Sequence, residues 1–272
     1  EPDLAEALAS ARIVILAVPS QHLRSVVRRM APLFRAPQPI VVSAAKGLER
    51  GTVKRMSQVV AEELGASRLA VLSGPNIAAE IARGRPASSV IASRNHTALV
   101  EVQHALMSGR LRMYTSTDVT GVELGGALKN PVAIAAGIGD GLGLGSNAKA
   151  ALITRGVVEM ARLGTAMGAR EATFWGLSGL GDLVTTCLSG RNHWLGEQLG
   201  RGRSLKAVLA STPMVIEGIE TSKAAVALAR RHRVELPIIE QVHAILFRRR
   251  PPQQALETLM RRAGKSEHAN ED

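Results

Sequence analysis

Apolar, β-branched runs alternate with amphipathic segments through the first 116 residues, and this alternation constrains the fold more than any other feature. Five such runs predict strands, at 12–18, 39–47, 68–75, 87–93 and 111–116. The first run, RIVILAV, is continuously apolar, which is typical of a strand buried on both faces. Helical spacing of apolar residues between the runs favours an α/β sheet that is largely parallel. In such a sheet, ligands bind at the carboxyl ends of the strands.

Helical spacing replaces the strand pattern after about residue 117. Apolar faces with the three- and four-residue spacing of amphipathic helices recur at 153–161, 225–229, 238–246 and 256–263. The sequence therefore predicts an all-α region over 117–272 that follows the sheet region over 1–116. The polar tail from Gly264 to Asp272 is expected to fray.

Composition excludes several classes of protein. The single cysteine, Cys187, excludes an intramolecular disulfide and a Cys-only zinc site, and it suits a reducing compartment. The seven histidines have no metal-ligand spacing, so we expect no metal, and no apolar run is long enough to predict a membrane span. The net charge of +11 raises the question of nucleic acid. With Tyr114 the only tyrosine and no aromatic interleaving, we expect no nucleic-acid partner, and an anionic small substrate or a general use of Arg for Lys accounts for the charge.

Polar or glycine-containing turns follow the first three predicted strands. They are Pro19–Ser20, Lys46–Gly47 and Gly74–Asn76, and together they suit one ligand crevice. Ser20 is a plausible N-cap for the next helix. Free N–H groups after Gly74 could bind an anion, although a plain helix start capped by Asn76 is the better local interpretation.

Lys129 lies in an unusual helical stretch, Glu123 to Pro131, that contains two consecutive glycines. Each helical glycine costs about 1 kcal/mol relative to alanine, so close approach of a backbone or a ligand would explain them. Pro131 would kink such a helix. Partial burial of Lys129 would lower its pKa toward the range of a general acid or base, while the alternative is a lysine that extends from a core helix into solvent.

Two further segments contain candidate polar groups. The segment from Gly176 to Asp182 predicts a tight glycine-rich loop that presents a carboxylate, or alternatively an N-cap aspartate. The pair Arg191 and Asn192 offers a forked cation and an amide, which suit a phosphate.

Taken in order along the chain, these segments resemble the bacterial-type glycerol-3-phosphate dehydrogenases that use NAD(P). The resemblance spans nearly the whole chain and rests on AVPS at 17–20, SAAKGLERGT at 43–52, LSGPNIAAEIARG at 72–84, GVELGGALKN at 121–130, IAAGIGDGLGLGSNAKAALITRG at 134–156, GLSGLGDLVTTC at 176–187, GRN at 190–192 and VIEGIETSKA at 215–224.

The resemblance implies reversible hydride transfer between NAD or NADP and dihydroxyacetone phosphate, which yields sn-glycerol 3-phosphate for glycerophospholipid synthesis. It implies that Lys129 is the proton donor and acceptor at the carbonyl oxygen. Substrate contacts are implied for Lys46, Gly74, Asn76, Lys129, Asp182, Gly190, Arg191 and Asn192, and cofactor contacts for Lys46, Ala78, Arg191, Val215 and Glu217. It also implies a phosphorylated small-molecule substrate, a cytoplasmic location and a homodimer.

The sequence departs from the family pattern at three places. The family usually has Ser at the positions of Asn76 and Gly190, and the loop between Asp182 and Arg191 is about two residues short. The sequence also contains no GxGxxG turn, which opens the family's fold.

The resemblance therefore implies a partial Rossmann-type domain over 1–116 without its first βαβ unit, and an α-helical substrate and catalytic domain over 117–272. For this reason we expect the 272-residue chain alone to have little dehydrogenase activity. The alternatives are a truncated, non-catalytic remnant and a 6-phosphogluconate- or hydroxyacid-type dehydrogenase, the second disfavoured by GLGDL followed by GRN.

Overall fold

Five strands form one sheet in sequential order, in a computed structural model that describes residues 3–34, 38–65, 68–264 and 266–267. The strands are β1 (Ile13–Leu16), β2 (Ile40–Ser43), β3 (Leu69–Ser73), β4 (Ala87–Ala92) and β5 (Leu111–Ser116). Each lies inside one of the five predicted runs, because continuous β-branched and apolar residues suit a strand covered on both faces. The predicted strands are therefore confirmed.

The sheet is largely parallel, as predicted, but its last two strands run in the opposite direction. β1, β2 and β3 are parallel, β4 is antiparallel to β3, and β5 is parallel to β4. Helix α4 (Ala78–Ala82), between β3 and β4, has only five residues. At about 1.5 Å per residue it is too short to carry the chain back along a strand, so the chain reverses there instead.

Helices cover both faces of the sheet. They are α1 (Leu4–Ala9), α2 (Leu23–Met30), α3 (Met56–Leu64) and α5 (His96–Leu106), whereas α4 has no buried residue. Val41 packs with α2 and α3, whereas its neighbours Ile40 and Val42 pack with α5. Successive residues of a strand point to opposite faces, so the two cores lie on opposite sides of the sheet.

The second half is helical, as predicted. Its helices are α6 (Val119–Gly141), α7 (Gly145–Ala166), α8 (Glu171–Phe174), α9 (Asp182–Leu188), α10 (Arg191–Gly200), α11 (Leu205–Ala210), α12 (Glu217–His232), α13 (Pro237–Arg248) and α14 (Pro252–Met260). Helix α6 is buried along most of its length and continues through Pro131. The predicted fraying tail lies largely outside the described residues, and the division into domains at residue 117 stays a prediction.

Glycines allow α6 and α10 to pack backbone against backbone. A Cβ on Gly137 would overlap the His193 carbonyl oxygen, and a Cβ on Gly196 would overlap that of Ile134. Only glycine permits this approach, and it brings the first turn of α10 against the middle of α6. Lys129 and Asn130 lie on α6, and Arg191 and Asn192 lie on α10, so this contact sets the distance between the two pairs.

Candidate active site

Two lysines share one aspartate where the sheet meets the helices. The Lys129 Nζ donates to Asp182 Oδ1 at 2.5 Å, and the Lys46 Nζ donates to Asp182 Oδ2 at 2.6 Å. Lys46 also donates to the Gly74 carbonyl oxygen at 2.8 Å. The turns after β2 and β3 therefore meet α6 and α9 at one point, as the crevice prediction requires.

Lys129 is buried, with 7% of its surface exposed, and Asp182 is 2% exposed. Burial and the nearby Lys46 ammonium lower the pKa of Lys129 to about 8, although Asp182 opposes the shift. A lysine with this pKa exchanges its proton near neutral pH. Of the two interpretations of Lys129, the structure supports the buried lysine over the solvent-directed one.

The segment before Asp182 forms a π-helical turn, Leu177–Gly181, that leads directly into α9. Its backbone lies against α6, and a Cβ on Gly125 would lie 2.7 Å from the Ser178 carbonyl oxygen. The expected close approach at the α6 glycines is confirmed. Asp182 is the first residue of α9 and binds the two lysines, so it is not an N-cap.

Asn130 and Asn192 connect the sheet edge to the helices behind it. The Asn130 Nδ2 donates to the Lys46 carbonyl oxygen at 3.1 Å, and the Asn192 Nδ2 donates to Asn130 Oδ1 at 2.9 Å. Asn192 Oδ1 then accepts from the Gly218 N–H at 2.9 Å. This chain of hydrogen bonds holds β2, α6, α10 and α12 in one arrangement around the lysines.

Glu217, the first residue of α12, contacts the turn after β1. Its carboxylate accepts from the Ser20 N–H at 2.9 Å and from the Ser20 hydroxyl. The prediction that Ser20 caps a helix is wrong, because its hydroxyl donates to Glu217 and α2 begins after His22. A Cβ on Gly47 would overlap Ser20, so glycine is needed where these turns meet. Val215 lies two residues before Glu217 and is exposed.

Asn76 does not cap α4, contrary to the local prediction. Its Oδ1 accepts from the Ser89 hydroxyl at 2.7 Å, so the side chain is held against β4. Ile77 occupies the N-cap position without a side-chain hydrogen bond, and Ala78 is exposed at the start of the helix. Gly74 has a φ of 141° and a Cβ there would lie 3.1 Å from β4 backbone atoms, which explains the glycine.

Gly190 and Arg191 begin α10 directly before the buried Asn192. Gly190 has a φ of 105°, so Ser, the usual family residue, would be strained there. The Arg191 side chain is exposed and, among the described residues, makes no hydrogen bond or ion pair. Its guanidinium is therefore available to an anion.

Three residues near the lysines escaped the sequence reasoning. Asn130 directly follows Lys129, and its partners Lys46 and Asn192 lie far from it in the sequence. Thr186 accepts from Lys129 Nζ at 2.6 Å, and its position four residues after Asp182 on α9 was a usable signal. The buried Ser73 hydroxyl lies 2.6 Å from where a Cβ of Gly126 would be, and it has no partner among the described residues.

Arg191, which has no partner among the described residues, directly precedes Asn192. The arrangement around Lys129 combines a buried ammonium of lowered pKa with a second cation and a carboxylate. It can donate a proton to a developing alkoxide and bind an anionic group beside it. The described residues contain no group of three or more His, Cys, Asp and Glu placed to hold a metal. Within the same residues, no helix combines the length and apolarity that a bilayer crossing requires.

Comparison with known proteins identifies close similarities over the whole chain. Residues 1–99 match the family model for the N-terminus of NAD-dependent glycerol-3-phosphate dehydrogenase, and residues 118–257 match the model for its C-terminus. The chain is 50% identical to glycerol-3-phosphate dehydrogenase [NAD(P)+] 2 of Salinibacter ruber, over 98% of this chain and 78% of that protein. It is 48% identical to the Streptomyces avermitilis glycerol-3-phosphate dehydrogenase [NAD(P)+], over 97% of this chain and 80% of the relative.

A solved structure agrees with these similarities. The crystal structure of glycerol-3-phosphate dehydrogenase from Coxiella burnetii superposes with a TM-score of 0.91 at 42% identity. The match covers 96% of this chain and 80% of the Coxiella chain. The predicted Rossmann-type fold class is confirmed.

Proposed function

Since the chain belongs to the NAD-dependent glycerol-3-phosphate dehydrogenase family, we propose that it catalyses reversible hydride transfer between a nicotinamide cofactor and dihydroxyacetone phosphate, forming sn-glycerol 3-phosphate. The observation that carries this proposal is the buried Lys129, bonded to Asp182 at the crevice edge where a carbonyl group would bind. Family membership disfavours the 6-phosphogluconate- or hydroxyacid-type alternative.

Lys129 holds the proton that the reaction needs. NAD(P)H, when bound, supplies a hydride to the carbonyl carbon, and the oxygen then gains negative charge. The Lys129 Nζ stabilises that charge and donates its proton to the oxygen. Asp182 and Thr186 fix the direction of the ammonium, because each bonds to Nζ at 2.5–2.6 Å.

The remaining residues bind and orient the substrate. Lys46 adds a second positive charge beside the reacting oxygen, and the oriented amides of Asn130 and Asn192 define the wall behind it. Arg191 supplies a guanidinium that can bind two phosphate oxygens at once. Gly74, Asn76 and Gly190 are proposed to border the substrate.

We place the cofactor at the edge where β1 and β2 end. Ser20 lies where a Cβ of Gly47 would be and bonds to the Glu217 carboxylate, so these three residues fix the turns after β1 and β2. We assign Lys46, Ala78, Arg191, Val215 and Glu217 to the cofactor. Among these residues Lys46 is adjacent to Lys129, so it would contact the nicotinamide end of the cofactor.

Three features are proposed on the resemblance alone. They are a role in glycerophospholipid synthesis, a cytoplasmic location and a homodimeric state. Sedimentation of the purified protein tests the last of these directly.

Substitution of the proton donor tests the proposed reaction. Because the sequence contains no GxGxxG turn, this and every other activity measurement proposed here uses the chain extended at its N-terminus by the family's first βαβ unit. In that extended protein we expect Lys129→Met to lower kcat for dihydroxyacetone phosphate reduction by roughly 10²-fold or more, the usual scale for a general acid. Lys206→Met, an exposed lysine on α11, is the matched control and should retain kcat. A Lys129→Met enzyme within threefold of wild type would remove Lys129 from this role. If the chain is instead a non-catalytic remnant, kcat of the wild type should be no higher than kcat of Lys129→Met.

A further inference from the structure

A cavity of about 640 Å³ lies within the helical region, between the end of α6 and helices α7, α13 and α14. Its walls are largely aliphatic, with Ile138, Leu152, Val242, Ile245 and Leu259 among the lining residues. The volume is within the roughly 300 to 1,000 Å³ typical of small-molecule sites. Among the described residues, none that we assign to substrate or cofactor lines this cavity. It is therefore separate from the active site.

The charged groups of the cavity wall are four basic and three acidic residues. Lys149 is paired with Asp140, Arg262 is paired with Glu235, and Arg162 donates to the Glu235 carbonyl oxygen. Arg155, half-buried on α7, makes no hydrogen bond or ion pair with any residue that the structure describes. Arg155 is thus the basic residue of this wall that has no polar partner among the described residues.

The buried acid of the wall is already engaged by the backbone. Glu159 lies one turn beyond Arg155 on α7, and its two oxygens accept from the N–H groups of Ile238 and Ile239 at 2.7 and 3.2 Å. Its carboxylate therefore faces the first turn of α13 and does not pair with Arg155. A guanidinium in a partly dry site is stabilised by an anion with two oxygens.

We propose that this cavity binds an amphiphile consisting of a hydrocarbon chain with a terminal carboxylate, whose head group pairs with Arg155. The aliphatic walls contain Leu, Ile and Val together with the flexible Met260, and none of the described lining residues is aromatic, so an alkyl chain suits them better than a flat ring. The carboxylate matches the fork of the guanidinium. Burial of the hydrocarbon chain supplies the affinity, and Arg155 makes the site prefer a negatively charged head group.

Calorimetric titration with decanoate, below its aggregation concentration, tests the proposal, with 1-decanol as the uncharged probe. We expect one decanoate per wild-type chain. Arg155→Met should weaken decanoate binding by about tenfold or more, as for loss of a charge-assisted hydrogen bond, and leave 1-decanol binding unchanged. Ala148→Trp, which adds a ring at a half-buried lining position of α7, should abolish binding of both probes.

Arg230→Met, at an exposed position of α12 outside the lining, is the matched control and should bind both probes like wild type. Thermal unfolding of each variant shows that the fold is kept. The proposal is overturned by a wild type that does not bind decanoate saturably, by unchanged decanoate binding in Ala148→Trp, or by equal losses for both probes in Arg155→Met. It is also overturned if decanoate does not bind and Ala148→Trp dissociates a dimer, because the cavity is then an interface between two copies.

Discussion

Two lysines share one carboxylate in the site, and their mutual repulsion affects the pH at which Lys129 loses its proton. The pKa of Lys129 falls from 10.5 to about 8, first because of burial and second because of the Lys46 charge. The protonated form serves carbonyl reduction and the neutral form serves alcohol oxidation. We therefore expect kcat/KM for reduction to fall as the pH rises through about 8, and kcat/KM for oxidation to rise over the same range.

Substitution of Lys46 tests whether its charge, and not another ionisable group, sets the pH dependence of the reaction. In Lys46→Met the loss of the neighbouring charge should raise the pKa of Lys129 and move both pH limbs upward, whatever happens to absolute activity. The exposed-lysine variant Lys206→Met should keep the wild-type profile. A reduction profile that is flat from neutral to strongly alkaline pH contradicts the assignment.

Arg191 is the other residue whose chemistry leads to a clear prediction. Its exposed guanidinium has no partner among the described residues, and a guanidinium binds two phosphate oxygens where an ammonium binds as a point charge. In the N-terminally extended protein we expect Arg191→Lys to lower kcat/KM for dihydroxyacetone phosphate by the equivalent of about 2 kcal/mol or more. Unphosphorylated dihydroxyacetone, a poor substrate, should be nearly unaffected.

Comparison of the two substrates decides the role of Arg191. Equal losses for both substrates would mean that Arg191 serves only the cofactor or the surface. The phosphate role would then pass to Asn192 or to the backbone that follows Gly74.

Among the secondary-structure elements, the contact between α6 and α10 leaves no room for a single added methyl group. A Cβ on Gly196 would overlap the Ile134 carbonyl oxygen, and backbone atoms cannot move aside as a flexible side chain can. Gly196→Ala should therefore lower the free energy of unfolding by about 1–3 kcal/mol. It should also raise the KM for dihydroxyacetone phosphate, because α10 carries Arg191 and Asn192.

Gly109, which has free space around its Cα, is the appropriate control for this substitution. A Cβ on Gly109 would meet no atom within 4 Å, and its φ is not in the left-handed region, so Gly109→Ala should be close to neutral. Chemical denaturation of both variants measures the difference. If Gly196→Ala unfolds like Gly109→Ala, the two helices are not held at the distance that the glycines indicate.

For the whole molecule, a buried acid makes stability depend on pH. Burial of Glu159 raises its pKa from 4.5 to about 7, although the N–H groups of Ile238 and Ile239 oppose the shift. The folded chain then binds more protons than the unfolded chain between these two values. Glu159 therefore contributes its full stabilisation below pH 4.5, and this stabilisation is lost as the pH rises through about 7. The resulting decrease in the free energy of unfolding is roughly 3 kcal/mol at most.

The variant Glu159→Gln isolates this effect, since all other groups titrate alike in both proteins. The stability of wild type relative to Glu159→Gln should fall between pH 5 and pH 8, as measured by denaturant unfolding at each pH. Glu257→Gln, an exposed acid on α14, should show a constant difference from wild type. A constant difference for Glu159→Gln as well would mean that the acid is ionised throughout.

Contacts between distant parts of the chain join the sheet region to the helical region. Arg55 and Ser57, at the start of α3, donate to the Glu123 carboxylate of α6. Ser20 contacts Glu217, and Lys46 contacts Asp182. Three separate polar contacts thus join the two regions, and the Lys46–Asp182 pair of the site forms only when these regions are packed together.

Local pattern determined much of the architecture of this protein. The five strands and the helical second half could be predicted because burial on both strand faces and helical periodicity are properties of a few neighbouring residues. The unusual glycines before Lys129 also indicated a close approach, because no other reason explains them in a helix. The resemblance then assigned roles to single residues, of which Lys46, Lys129 and Asp182 lie in direct contact.

Only the tertiary structure decided the direction of β4 and β5 and the partners of the polar groups. Local sequence predicts that Ser20 and Asn76 each cap a helix, because the nearest backbone N–H groups in the sequence belong to the helix that follows. Instead Ser20 binds a residue 197 positions away, and Asn76 binds β4. Lys129 and Asp182 are 53 positions apart. Hydrogen bonds over such separations depend on how whole elements pack, and that packing also lowers the pKa of Lys129, because desolvation is a property of the assembled core.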